Sequence, residues 1–308
     1  MSGAAPDVRT LTLLGFGEAG TTIARGLVED LHWLGSQQGR VIRAVDIALG
    51  QGPRGEAMAR RADGWGIATT GTYQEGLSDT DIAFSVVTGE DAVAAAESLK
   101  PYLRPGAIYC DFNSITAKQT RAVAAVFEGS GVDFIDVAVM GGFLALGHKV
   151  PLVLSGPRAE EVAAWMGETG LTASVLNDRV GDASAVKILR SVLIKGIEAL
   201  GIECLTAAHR EGLTKEVLAT LADVDRMGMA NFVQMLVSTH MVHAKRRMEE
   251  MDKASANLED LRIAPVMTEA TRRTLKRTVE AGAIRADGVV PDIEDALEAL
   301  GTVAERPV

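Results

Sequence analysis

The stretch that most constrains this chain is residues 9–20, Arg-Thr-Leu-Thr-Leu-Leu-Gly15-Phe16-Gly17-Glu18-Ala19-Gly20, with a helical run over 21–34 directly behind it. A short apolar strand, a glycine turn and a helix must follow one another without a linker. The three glycines then play different parts. Gly15 makes the tight turn, Gly17 lets a ligand approach the backbone, and Gly20 lets the helix pack closely on the strand. The first N–H groups of the helix have no intrahelical partner and carry partial positive charge, so the loop is a cradle for the pyrophosphate of a dinucleotide. Phe16, Glu18 and Ala19 complete the loop and join the three glycines as expected cofactor contacts.

A second strand at 41–45 ends in Asp46, where a carboxylate accepts hydrogen bonds from adenosine ribose hydroxyls and favours NAD. The interval from the glycine loop is longer than the usual roughly 20 residues, and a polar turn containing Gln37 and Gln38 accounts for the excess. Arg54, Arg60 and Arg61 follow closely and could each meet a 2′-phosphate, so NADP stays open beside NAD.

The alternation continues through helix 55–62, a strand near Ile67, strand 82–87, helix 91–99, strand 108–111, helix 117–127, strands 134–139 and 152–155, helix 159–166 and strand 173–176. Strands alternating with helices predict an α/β, Rossmann-type, doubly wound and mostly parallel sheet over residues 1–180. Ligands gather at the carboxyl ends of such strands. That marks Val87 and Thr88 as cofactor contacts, and Asn113 and Ser114 as contacts at the substrate, with Asn113 also near the cofactor. Capping of the next helix is an equally open reading of Asn113 and Ser114. Met140, Gly141 and Gly142 follow the strand at 134–139, and paired glycines there expose backbone N–H groups to a carboxylate or other oxyanion.

From Gly181 onward only helices fit, at 182–209, 214–227, 231–251, 265–281 and 292–300, the last ending at Gly301. They predict an all-α domain over 181–308, entered through a long inter-domain helix from about 182 to 209. That helix has no proline and is apolar over more than half its circumference, so it is expected to be buried on most sides. Its polar stripe is narrow: Lys187, Ser191, Lys195 and Glu198 at spacings of four, four and three, with Arg190 beside them. Lys195 and Glu198 read equally well as a surface ion pair. Lys187, Arg190 and Ser191 are candidates for an inter-domain cleft, where small ligands usually bind. In the run 231–251, His243 shares a face with Arg246 and Arg247 and is the cationic candidate for the cleft, although such runs are usually solvated.

Composition removes other classes. A net charge of −10 and a pI near 5.1 disfavour nucleic acid and anionic membranes. No apolar run reaches membrane-spanning length, and the N-terminus lacks the blocks of a signal peptide. Two distant cysteines, Cys110 and Cys204, fit neither a disulfide framework nor a metal site and suit a reducing cytoplasm. The expected partner is a small molecule.

Taken together, Gly15, Gly17 and Gly20, the loop Asp111-Phe112-Asn113-Ser114, the segment from Asp136 to Gly142, and Gly181, Ala183 and Lys187 resemble, in that order, the motifs of the β-hydroxyacid dehydrogenase superfamily. That group includes hydroxyisobutyrate and phosphogluconate dehydrogenases. The resemblance covers nearly the whole chain and looks closest to a less characterised branch, similar to phosphogluconate dehydrogenase, with its own C-terminal helical domain. It implies an NAD(P)-dependent oxidoreductase with Lys187 as general acid/base, and a homodimer formed through the helical domain. Met140 stands where the family has serine, and Arg190-Ser191 where it has an asparagine pair, so the substrate does not carry over.

The expected reaction is reversible hydride transfer between the nicotinamide cofactor and a small, anionic hydroxyl or carbonyl substrate. Ser114 and Asn113 would orient it, and Gly141 and Gly142 would hold its oxyanion. A lysine acting as base at neutral pH needs its pKa lowered by about 3 units, roughly 4 kcal/mol, for which partial burial, Arg190 and Lys195 are the available causes. Two rivals stand beside this reading. One is an imine or carbonyl reductase on the same fold, although imine reductases commonly replace the lysine. The other is a dinucleotide sensor without turnover.

Overall fold

Eight strands form one sheet: β1 (Thr10–Leu14), β2 (Val41–Val45), β3 (Ala68–Thr70), β4 (Ile82–Ser85), β5 (Ile108–Asp111), β6 (Asp133–Val139), β7 (Leu152–Ser155) and β8 (Ala173–Asn177). In this computed structural model, residues 5–36, 39–285 and 287–305 are described, so the turn at Gln37 and Gln38 and the first four residues lie outside it. The strand order is β3-β2-β1-β4-β5-β6-β7-β8. Neighbours are parallel except at β6 and β7, which pair antiparallel. The sequence thus foretells the doubly wound, mostly parallel sheet. The order reverses direction between β1 and β4, and the crevice at that switch point is where such sheets bind ligands.

The helices of this half are α1 (Glu18–Arg25), α2 (Trp33–Ser36), α3 (Gly52–Gly64), α4 (Tyr73–Leu77), α5 (Ala92–Leu99), α6 (Ala117–Val126), α7 (Phe143–Leu146) and α8 (Ala159–Glu168). They cover both faces of the sheet because side chains alternate along each strand. Leu11, Leu13, Ile82, Phe84, Ile108 and Cys110 enter one core with Phe16, Leu27, Trp33 and Trp165. Leu14, Ala83, Tyr109 and Phe134 enter the other with Leu77, Leu99 and Phe127. The same parity places Asp111 on the face of Tyr109 and Asp136 on the face of Phe134.

The helix predicted over 21–34 is instead broken. It starts at Glu18, passes into a π-helical turn at Gly26–Asp30, and resumes only at Trp33–Ser36. Close packing is the cause at one end: a Cβ on Gly26 would lie 2.2 Å from the ring of buried His148. At the other end His32 adopts φ of +50°, which no helix continues through.

The chain divides into two compact units, residues 1–191 and 192–308, with the division inside α9 (Asp182–Arg210). The second unit continues with α10 (Thr214–Ala219), α11 (Ala222–Met227), α12 (Met229–Ser238), α13 (His240–Asp260), α14 (Val266–Glu280) and α15 (Ile293–Ala304). The runs expected at 214–227 and 231–251 are thus each split in two, the second extends to Asp260, and the last helix passes through Gly301. At the α12–α13 break, Thr239 Oγ donates to the Met235 carbonyl at 2.7 Å and accepts from Arg247 at 2.9 Å. Glu203 receives the Met267 and Thr268 amides at 2.8 and 2.9 Å, capping α14 with a carboxylate that complements its dipole.

Burial of α9 on most sides does not occur within one chain. Leu189 and Val192 are 70 and 71% exposed, and Ile194, Ile197, Leu200 and Ile202 are also exposed. Among the described residues no ion pair joins Lys195 to Glu198, which stand instead as separate exposed charges.

Candidate active site

The glycine loop is held by its neighbours in the way its sequence demands. Gly15 has φ of +98°, and a Cβ there would meet the Val86 carbonyl at 2.7 Å. A Cβ on Gly20 would stand 2.3 Å from the Gly15 carbonyl, so α1 packs against the turn only with glycine at that place. Gly17 is different, since no protein atom lies within 4 Å of where its Cβ would be. Its lack of a side chain leaves open space at the start of α1, next to amides that seek an acceptor. These residues fit a pyrophosphate.

Asp46 follows β2, beside the loop. One carboxylate oxygen accepts the Phe16 amide and the other the Ala48 amide, both at 2.8 Å. The residue therefore shapes the loop itself, a role unseen in the sequence. Each oxygen keeps a further lone pair for a ribose hydroxyl. Among the nearby arginines, Arg60 pairs with Glu56 at 3.6 Å, and Arg54 is exposed in the first turn of α3. After β4, Val86 N–H donates to the Leu14 carbonyl at 2.9 Å, which brings Val87 and Thr88 beside the glycine turn, and Thr88 donates to Asp91.

Asn113 and Ser114 follow β5. They do not cap α6, because Thr116 does: its hydroxyl accepts the Gln119 amide while the Gln119 side chain accepts the Thr116 amide. Asn113 is buried, donates its Nδ2 to Ser85 Oγ at 3.0 Å, and gives its backbone N–H to Asp111 Oδ1 at 2.9 Å. Its Oδ1 has no partner in the chain. Lys187 Nζ donates to Ser114 Oγ at 2.7 Å.

What aims Lys187 is a buried network at the start of α9. Asp136, 1% exposed, accepts Ser184 Oγ at 2.7 Å on Oδ1, and the Ser184 amide at 2.9 Å and Ser155 Oγ at 3.2 Å on Oδ2. Ser155 Oγ in turn accepts the Ala183 amide, and Thr120 Oγ donates to Ser184 Oγ, both at 3.0 Å. The carboxylate satisfies orphan amides and faces the positive end of the helix dipole. Burial nevertheless raises its pKa, against the lowering by Ser184 and Ser155. Lys187 stands one turn beyond Ser184 and so inherits its direction from this anchor. Sequence reasoning missed Ser155, Ser184 and Thr120. The signal was two aspartates in otherwise apolar strands, since a buried carboxylate requires partners.

A cavity of about 330 Å³ opens here, lined by Glu18, Ala19, Val87, Asn113, Ser114, Gly141, Gly142 and Lys187, with Val86, Gly89, Phe112, Val139 and Phe143. Eight of the expected site residues therefore meet at one place. Gly142 faces open space, while Gly141 packs toward Val150 and Leu146. Gly15, Phe16, Gly17, Gly20, Asp46 and Thr88 lie outside this lining, in the loops already described. Met140 donates its amide to the Pro151 carbonyl at 2.8 Å. Arg190 is exposed and Ser191 partly buried on α9. His243 lies on α13 of the second unit, its amide bonded to the Thr239 carbonyl at 3.1 Å.

The second unit holds a larger cavity of about 660 Å³ between α12, α13, α14 and α15. It is chiefly apolar, and its polar groups answer one another: His240 meets Thr278 Oγ at 2.8 Å, and Arg247 donates to Thr239 and to the Leu236 carbonyl. The smaller cavity is the better site because it joins a primary amine, hydroxyl and amide groups and exposed backbone to the dinucleotide loop.

Residues 10–159 match the NAD binding domain of 6-phosphogluconate dehydrogenase, and residues 208–278 match a domain of unknown function. The resemblance to β-hydroxyacid dehydrogenases is borne out: this chain joins an NAD(P)-binding domain of the 6-phosphogluconate dehydrogenase type to a separate helical domain. A conserved protein of unknown function, described as structurally similar to 3-hydroxyacid dehydrogenases, is 28% identical, with a TM-score of 0.57 over 94% of this chain and 99% of that one. A conserved hypothetical protein from Sinorhizobium meliloti is 27% identical, with a TM-score of 0.60 over 96% and 97%. An imine reductase from Myxococcus stipitatus, solved with NADP+, shares the fold at 17% identity, with a TM-score of 0.70 over 89% and 95%.

Proposed function

We propose that this protein oxidises, reversibly, a hydroxyl group on a small anionic substrate, with Lys187 as general acid/base. The observation that carries the reading is the Lys187–Ser114 contact of 2.7 Å within a cavity bounded on one side by the dinucleotide loop and on another by Gly141 and Gly142. The nicotinamide cofactor, when bound, supplies the hydride acceptor. Ser114 orients the reacting hydroxyl and Lys187 Nζ takes its proton, returning it in the opposite direction. Asn113 Oδ1 offers a buried acceptor, and the amides at Gly141 and Gly142 offer donors to a substrate carboxylate. Arg190 and Ser191 remain candidates for the substrate's distal end, and Met140 for its specificity.

A panel of hydroxy acids, carbonyl compounds and imines, run in both directions with each dinucleotide, tests the reading. Turnover of hydroxyl substrates supports it, whereas turnover of imines alone makes this a reductase. Binding of dinucleotide without any hydride transfer would make it a sensor.

Between the two dinucleotides we favour NAD, because the Asp46 carboxylate would face a 2′-phosphate. Asp46→Ser is expected to narrow the difference in affinity between NAD and NADP in a fluorescence titration. A wild-type preference for NADP of about tenfold, worth roughly 1.4 kcal/mol, would overturn the assignment in favour of the arginines.

The working form is proposed to be a homodimer through the helical domain, in a reducing cytoplasm that suits the unpaired Cys110 and Cys204. Leu213, Leu218, Leu221, Met227, Met229, Met235 and Leu236 are exposed in addition to the apolar residues of α9. So large an apolar surface on one chain marks an interaction site. Light scattering is expected to give about twice the 32.5 kDa of a single chain, and a monomer mass at micromolar concentration would contradict the assignment.

A further inference from the structure

Gly26 has φ of −58° and ψ of −46°, a helical conformation that alanine adopts freely, so glycine stands there for space and not for backbone freedom. The space is taken by an imidazole. A Cβ at position 26 would lie 2.2 Å from His148 Cγ and 2.5 Å from its Nδ1. Nδ1 also stands 3.3 Å from Asp30 Oδ2, at the last residue of the π-helical turn, while the buried Nε2 has no hydrogen-bond partner. A side chain that only filled space would need neither nitrogen, and burying an unpartnered one costs free energy. The ring is a peg, seated on Gly26 and held beside Asp30.

What the peg carries is the loop 140–151. This loop leaves the sheet after β6 and returns at β7, its base closed by the Met140 amide on the Pro151 carbonyl at 2.8 Å. On one side of it Gly141, Gly142 and Phe143 line the cavity, and on the other His148 occupies the 3₁₀ turn Gly147–Lys149. Leu146 and Val150, two residues before and after His148, pack on Gly141, where a Cβ would lie 3.2 and 3.1 Å from them. Close packing therefore passes any shift of the histidine to the glycine pair. Glu18 and Ala19, also in the cavity lining, begin the same helix whose far end meets His148.

We propose that His148 is a positioning residue for the oxyanion side of the active site: docked on Gly26 and Asp30, it sets Gly141 and Gly142 against the helix that makes the dinucleotide cradle. The proposal deepens the dehydrogenase reading and takes from it only the role of the glycine pair, which is to hold a substrate carboxylate. His148 itself lies outside the cavity lining and transfers nothing.

The test uses the full-length protein and perturbs the peg from outside the cavity. Alanine in place of a helical glycine ordinarily stabilises a helix, but Gly26→Ala must push the imidazole aside. Asp30→Ala, at a half-exposed residue, removes the polar contact and serves should Gly26→Ala fail to fold. In either variant, amide hydrogen exchange of a peptide covering 141–146 is expected to quicken by roughly 3- to 10-fold, the change in local opening that losing one such contact gives. Exchange in β1 and β5, and dinucleotide affinity, should stay as in wild type. The second readout compares the best hydroxy acid from the panel with its carboxamide. KM for the acid is expected to rise about tenfold, the cost of weakening a hydrogen bond to a charged group, with kcat little changed and the carboxamide unaffected. Unchanged exchange at 141–146 in the folded variants, an equal rise throughout residues 1–191, or a loss shared by acid and carboxamide overturns the proposal. The exchange readout needs no substrate, so failure of the dehydrogenase reading in the panel and failure of the peg are seen separately.

Discussion

Lys187→Met is expected to lower turnover by roughly 10²- to 10⁴-fold, the usual cost of removing a general acid/base. Methionine keeps most of the apolar stem and deletes only the amine, so α9 should keep its place. That place is fixed from Ser184 by Asp136, Ser155 and Thr120, none of which the substitution touches. Dinucleotide affinity should change little, because the cradle is built from Gly15, Gly17 and Gly20. Lys195→Met is the matched control: Lys195 is exposed, two turns farther along α9 and absent from the cavity lining, so its loss should have a smaller effect.

Asp111→Asn is expected to change how stability depends on pH. An aspartate titrates ordinarily near 3.8, and in the folded chain Asp111 is pushed up to about 7. Below about pH 3 both states hold the proton and the residue costs nothing. As pH rises toward 7 the unfolded chain releases its proton while the folded chain keeps it, so stability falls, by an amount that levels off at roughly 4 kcal/mol. Asparagine has no such dependence and still offers an oxygen to the Asn113 amide. Urea midpoints should therefore favour the variant at pH 8 and converge with wild type near pH 3.5. A difference of equal size at both values would mean that Asp111 is already ionised in the folded state.

The fold was largely legible. Strand positions and the parallel alternation follow from period-two apolar runs separated by turn residues, and the glycine loop is dictated by sterics that the structure repeats at Gly15 and Gly20. The breaks in the first helix were hidden because their cause is tertiary: His148, more than a hundred residues away, occupies the space above Gly26. The second unit misleads for a related reason. Apolar periodicity on α9 reads as burial, yet Leu189 and Val192 stand exposed, because periodicity marks the apolar side of a helix and not what covers it. Within the site, Lys187, Ser114 and the glycine pair were legible as motifs. The Asp136 anchor was not, because it joins side chains 19 and 48 residues apart, which the β6–β7 pairing and the start of α9 bring together. Asp46 was legible as a position, while its bonds to Phe16 and Ala48 were not.

The central claim is that Lys187 moves a proton while hydride crosses between the nicotinamide and a hydroxyl-bearing carbon. It is tested most directly by deuteride transfer from dinucleotide labelled at C4, followed in single turnovers of wild type and Lys187→Met against the carbonyl form of the best substrate found. The account predicts deuterium on the carbon that bears the new hydroxyl in wild type, and transfer slower by at least about 10²-fold in the variant. Transfer at the wild-type rate in Lys187→Met, or deuterium appearing only in amines formed from imines, would contradict it.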